Sequence, residues 1–192
     1  TEFLASNEFD WSKTPMDRSP TDVVVGFGTN SVWDITLRKQ AKQMIIGDWS
    51  PWPLISQAFL ISPLMRIAET PQEFLAMISG MPKVAGKGKS IEKVFEVTKV
   101  FSGLHPEEKR EIIQILLLDL AKDSRISELE LKFLTTYFRP LFAENIHPFG
   151  WGPFEKLRHP QFANLTSFYY RRYNPSIAGQ QDSVFSTQEG YS

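Results

Sequence analysis

Apolar positions along the chain change their period near residue 50, and the change separates two kinds of element. Val23-Val24-Val25 and Met44-Ile45-Ile46 are short unbroken apolar runs bounded by polar or glycine residues, the pattern of buried strands. From Leu54 onward apolar residues recur at helical spacing. A helix is predicted over Leu54 to Ile67, interrupted at Pro63 and apolar on most sides, so it should be buried. Thr70-Pro71-Gln72-Glu73 supplies an N-cap, a proline at the first helical position and a returning glutamate, which predicts a helix through Phe74, Leu75 and Ile78 that stops at Gly80. Three more helices are predicted over Ser90 to Phe101, Glu107 to Lys122 and Ser127 to about Phe138, the last opened by the capping box Ser127-x-x-Glu130. Ile112, Ile113, Leu116, Leu117 and Leu120 form a wide stripe, so the second of these should lie in a core. Lys83 to Lys89, with Gly86 and Gly88, reads as an exposed linker. Its Gly88-Lys89-Ser90 is not a phosphate-binding loop, because that pattern needs a glycine where Lys83 stands and a strand before it.

The two strand-like runs are joined by the most informative segment. Gly26-Phe27-Gly28-Thr29-Asn30 follows the first run, and Asp48 follows the second about twenty residues later. Glycines let a backbone turn sharply and approach a ligand closely. A carboxylate at the end of the second strand can accept hydrogen bonds from both ribose hydroxyls of a nucleoside. The order of strand, glycine turn, helix, strand and carboxylate is how a Rossmann-type fold opens. An architectural reading also fits, in which Asn30 or Ser31 merely caps a helix.

A chain of 192 residues with 42% hydrophobic and 13% aromatic content can bury a sizeable core, and one domain is expected. Residues 1–21, with Pro15, Pro20 and the aromatics Phe3, Phe9 and Trp11, read as an extended arm; residues 22–192 read as the domain. The net charge of -1 gives bulk electrostatics no reason to draw in nucleic acid or a membrane. No run of eighteen apolar residues and no leader-like N-terminus is visible. With no cysteine in the chain, disulfides and thiol chemistry are excluded, which fits a reducing cytoplasm. His105, His147 and His159 each precede proline and share no helix face, so they read as turn residues and no metal site is expected. Asp119, Asp123 and Glu128 lack the alternation and central glycine of a calcium loop and read as a helix end and a cap. No nucleophile can be assigned from spacing. The aromatic and basic stretch Phe168 to Pro175, with Phe149, Trp151 and Phe154 before it, fits a pocket wall beside a nucleoside better than a nucleic-acid surface.

Asp22 to Asn30, Leu37-Arg38, Met44 to Asp48 and the segment from Ala68 to Ser79 resemble the N-terminal half of an uncharacterised bacterial family with a class I S-adenosylmethionine methyltransferase-like fold. The resemblance covers roughly residues 20–80, and Ser183 to Ser192 resembles the entry to that family's next helix. It implies an α/β, Rossmann-like domain, helix-rich, with an incomplete sheet and a helical insertion over about residues 90–139. It also implies a site in which Gly26 and Gly28 pass the methionine part of S-adenosylmethionine, Phe27, Thr29 and Asn30 complete the turn, Asp48 holds the ribose and Trp49 lies beside the adenine. The third glycine of the pattern is replaced, and the first strand holds no acidic residue beyond Asp22 at its start. A final capping box, Ser186 to Glu189, together with only two strands, suggests a chain truncated at its C-terminus, and leaves open whether the rest of the sheet is supplied in cis, by a second subunit, or not at all. Two alternatives remain open. One is a non-enzymatic helical module that docks a protein partner; the other is a nicotinamide cofactor in place of S-adenosylmethionine.

Overall fold

The computed structural model describes residues 19–27, 36, 39–47 and 51–138 of the chain. These residues are mostly helical, with one small parallel sheet. Strands β1 (Val23–Phe27) and β2 (Gln43–Gly47) pair in parallel, Val23 opposite Gln43 and Phe27 opposite Gly47. Their register is fixed at the N-terminal end, where the Asp22 carbonyl accepts from the backbone of Lys42 at 3.2 Å and Gln43 at 3.0 Å. Lys42 also donates to the Asp22 carboxylate at 2.8 Å, an exposed pair that adds little energy but agrees with the register. Asp22 therefore serves the start of the strands.

Alternation along the strands is clear. Val24 is buried, and Met44 and Ile46 are half-buried, whereas Val23, Val25 and Ile45 face outward. Parallel strands are ordinarily covered on both faces.

The helical body begins with α1 (Pro51–Ser56), a single π-helical turn (Gln57–Ile61) and α2 (Ser62–Ile67). The predicted interruption at Pro63 takes this form. A proline in a regular helix lacks its amide donor and collides with the carbonyl four residues back. Here the wider turn immediately upstream leaves Pro63 in the first turn of α2, where no such donor is needed.

Helix α3 (Pro71–Ile78) is capped by the Thr70 hydroxyl, which accepts from the Glu73 amide at 3.3 Å. It closes in a Schellman motif: Met81 N–H donates to the Ala76 carbonyl at 3.0 Å and Gly80 N–H to Met77 at 2.9 Å, with Gly80 at φ 90°. A 3₁₀ turn (Lys83–Ala85) then leads to α4 (Ile91–Ser102), α5 (Pro106–Lys122) and α6 (Glu128–Phe138). Ser90 caps α4, and Ser127 with Glu130 forms the expected reciprocal box on α6, at 3.3 and 2.7 Å. His105 is the N-cap residue of α5, and its own N–H donates to Glu108 at 2.9 Å.

One core holds these helices together. Leu60, Leu64, Phe74 and Met77 share it with Val94, Ile113, Leu116, Leu134 and Phe138, all essentially inaccessible to solvent. Each such side chain contributes roughly 1.5–3 kcal/mol on burial. The helices from Ile91 to Phe138 thus pack into the same core as those from Leu60 to Ile78.

The segment from Lys83 to Lys89 is solvated in part, with Val84, Lys87 and Gly88 exposed as its composition suggests, but it is also packed in part. Ala85 packs against the core, and Gly86 is buried where the backbone of Gln72 and Glu73 leaves no room for a Cβ. Composition reports only that the segment is rich in lysine and glycine; the use of one glycine as a contact point depends on α3 lying beside it.

Candidate functional site

Parallel pairing brings the C-terminal ends of β1 and β2 to one edge, with Gly26 opposite Ile46 and Phe27 opposite Gly47. Of the residues expected to bind a nucleoside, Gly26 and Phe27 are the last two of β1. Gly28, Thr29, Asn30, Asp48 and Trp49 lie outside the described residues. In sequence Gly28 directly follows Phe27 and Asp48 directly follows Gly47, so the turn and the carboxylate are each one residue past a pair of opposed strand positions. The aromatic stretch from Phe149 to Pro175 and the histidines His147 and His159 also lie outside the described residues.

A second polar cluster lies on the helical body. Helix α2 ends at Ile67, and its final carbonyls would lack partners within the helix. Lys83 donates to the Ile67 carbonyl at 3.2 Å, and Arg125 donates to the Arg66 carbonyl at 2.9 Å. Two cations therefore sit at the negative end of this short helix, although each comes from a distant part of the chain.

Both cations are held in turn by carboxylates. Lys83 lies 2.6 Å from Glu69 and 3.6 Å from Glu73. Glu73 is buried and also accepts from the Glu69 amide at 2.7 Å, so its carboxylate reaches one residue further back than a simple capping box requires. Arg125 grips Asp123 through Nε at 2.9 Å and a terminal nitrogen at 2.6 Å. The Arg125 side chain and its backbone N–H hold the Asp123 carboxyl down to about 2. The side-chain hydrogen bond from Lys83 likewise lowers Glu69. Arg66 pairs with Glu130 at 2.7 Å, joining α2 to α6. Burial pulls the Glu130 carboxyl upward, but hydrogen bonds from Ser127 and Arg66 outweigh it and leave the group below its ordinary value.

Reading Asp123 as a helix end and Glu130 as part of a cap agrees with this arrangement. The partnership of Lys83 and Arg125 at one helix terminus carries no local sequence signal. Among the described residues no group of three or more histidine and acidic side chains is placed to hold a metal, and no helix is long and apolar enough to cross a membrane.

No protein family, curated protein or solved structure matches the chain.

Proposed function

We propose that the C-terminal edge of the strand pair binds a nucleoside cofactor, S-adenosylmethionine, in a Rossmann-like, methyltransferase-like domain. The supporting observation is the parallel register, which sets Phe27 opposite Gly47, the residues that Gly28 and Asp48 directly follow in sequence. Ligands of open parallel sheets bind outside the carboxyl ends of the strands, the end away from Asp22.

The residue types suit such a ligand. Gly26 and Gly28 are residue types that allow close approach beside the methionine part, with Phe27, Thr29 and Asn30 around them in sequence. The Asp48 carboxylate accepts from two adjacent ribose hydroxyls, and Trp49 offers a face to the adenine. When bound, S-adenosylmethionine supplies an electrophilic methyl group. The contribution of this chain is to hold and orient it, since transfer in line with a nucleophile is accelerated mainly by positioning.

The helical protein-interaction module is the second reading, favoured by Ile115 and Leu118, which lie one turn apart on α5 with about half of each exposed. Calorimetric titration of the full chain separates the two. Saturable binding of S-adenosylmethionine, abolished by Asp48→Ala with the melting temperature unchanged, supports the cofactor site. No saturable heat overturns it in favour of the module, and saturation by a nicotinamide dinucleotide instead reassigns the cofactor.

A further inference from the structure

A cavity of about 370 Å³ opens between the end of α2, helix α3, the 3₁₀ turn and the C-terminal half of α5. Its size falls within the range of small-molecule sites, roughly 300–1,000 Å³, and its composition has the usual form of an apolar floor with a few polar groups at the rim. Ile67, Met77, Leu116 and Leu120 make the floor, all of them buried core residues. The rim carries Lys83, Lys87 and Arg125 together with Asp119 and Asp123.

These five charges divide into two groups. Lys83 is engaged by the Ile67 carbonyl and Glu69, and Arg125 by Asp123 and the Arg66 carbonyl, so three of the five have structural partners. Among the described residues Lys87 and Asp119 are held by no such bond, although the Lys87 charge also acts on the Glu69 carboxylate. Both are exposed, and among the described residues neither side chain stands in an ion pair. A cation outside any ion pair, in the turn after the 3₁₀ segment, and an anion outside any ion pair, on α5, thus border the same apolar floor.

We propose that this cavity binds a small zwitterion with an apolar body, its anionic group on Lys87, its cationic group on Asp119 and its apolar part on the floor formed by Met77, Leu116 and Leu120, with apolar amino acids as the probes. A simple carboxylate would use Lys87 but bring a second negative charge toward Asp119. A simple amine would do the reverse with Lys87. Only a zwitterion with an apolar body uses both charges and the floor. The site is separate from the strand edge and does not depend on what binds there.

The test is a titration of the full chain with L-leucine and L-phenylalanine, followed by the amide resonances of Lys87 and Asp119. 4-Methylpentanoate, which lacks the ammonium, and leucine amide, which lacks the carboxylate, are titrated in parallel. The expected result is saturation by the amino acids, with each control weaker by about tenfold or more. Lys87→Gln and Asp119→Asn should each weaken binding by a similar factor and leave the melting temperature unchanged, because both side chains are exposed. Absence of saturation up to about 10 mM amino acid overturns the proposal. So does equal binding of either control, or retention of full affinity by both variants.

Discussion

Gly86 lies so close to Gln72 that a Cβ at position 86 would overlap the Gln72 carbonyl and stand 2.7 Å from the Glu73 Cα. Neither obstacle is a movable side-chain tip. Gly88, two residues on, has open space where a Cβ would go but adopts φ 68°. The two glycines are thus required for different reasons, one steric and one conformational. Gly86→Ala should cost about 2–3 kcal/mol, by forcing the turn away from the N-terminus of α3. Gly88→Ala should cost about 1 kcal/mol, the ordinary penalty for a left-handed alanine. Urea unfolding of both variants checks the order; a larger loss for Gly88→Ala would contradict it.

Lys83 faces one buried carboxylate and one exposed carboxylate, and these should not be equivalent. The Glu69 side chain is 71% exposed and that of Glu73 is 2% exposed. Coupling of Lys83 to Glu69 should be the smaller of the two despite the shorter distance, because solvent screens the exposed pair. Lys83→Met should instead destabilise by roughly 2–3 kcal/mol, because it leaves the buried Glu73 with less compensation and uncovers the Ile67 carbonyl. A double-mutant cycle with Glu69→Gln and Glu73→Gln measures both couplings, and the Glu73 value should be the larger.

Acid should weaken the loop between α5 and α6 at Asp123. Its carboxyl is held at about 2 against an ordinary 3.8, so the folded state favours the charged form. The stability this provides is fully present above about pH 4 and is lost as pH falls through about 2. Titration of the Asp123 carboxyl carbon by NMR should show the low midpoint. In Asp123→Asn the acid-induced loss of stability should be smaller than in the native chain; an identical profile would show that Arg125 does not hold the group.

The π-helical turn contains one buried amide with incomplete pairing. Gln57 Nε2 donates to the Ser62 hydroxyl at 3.2 Å, whereas Oε1 is buried without a hydrogen-bond partner among the described residues. Replacing it by an apolar side chain of similar length removes a desolvated acceptor together with one modest hydrogen bond. Gln57→Met should therefore leave stability within about 1 kcal/mol of the native chain, or raise it. A thermal-melt loss well beyond that would show that the amide oxygen has a partner in solution.

Local chemistry along the chain was enough to place most of the helices. Thr70, Ser90 and Ser127 cap their helices through contacts three residues away, and Gly80 ends α3 through its own positive φ. Such interactions are decided within one turn, so sequence spacing reveals them. The parallel strand pair also follows from two short apolar runs with a helix-length connection between them. Of the candidate nucleoside site, the strand end at Gly26 and Phe27 was recognisable in the same way.

Tertiary structure alone decided the polar cluster and the contact at Gly86. Arg125 finds the Arg66 carbonyl across 59 residues, and Arg66 finds Glu130 across 64. The sequence by itself determined that a lysine- and glycine-rich segment follows α3, but its role depends on the helix beside it. A cation is soluble almost anywhere on a surface, so its position in sequence does not name a partner. Only the packing of α2 against its neighbours exposes the last carbonyls of that helix to Lys83 and Arg125, and only the position of α3 leaves no room for a Cβ at Gly86.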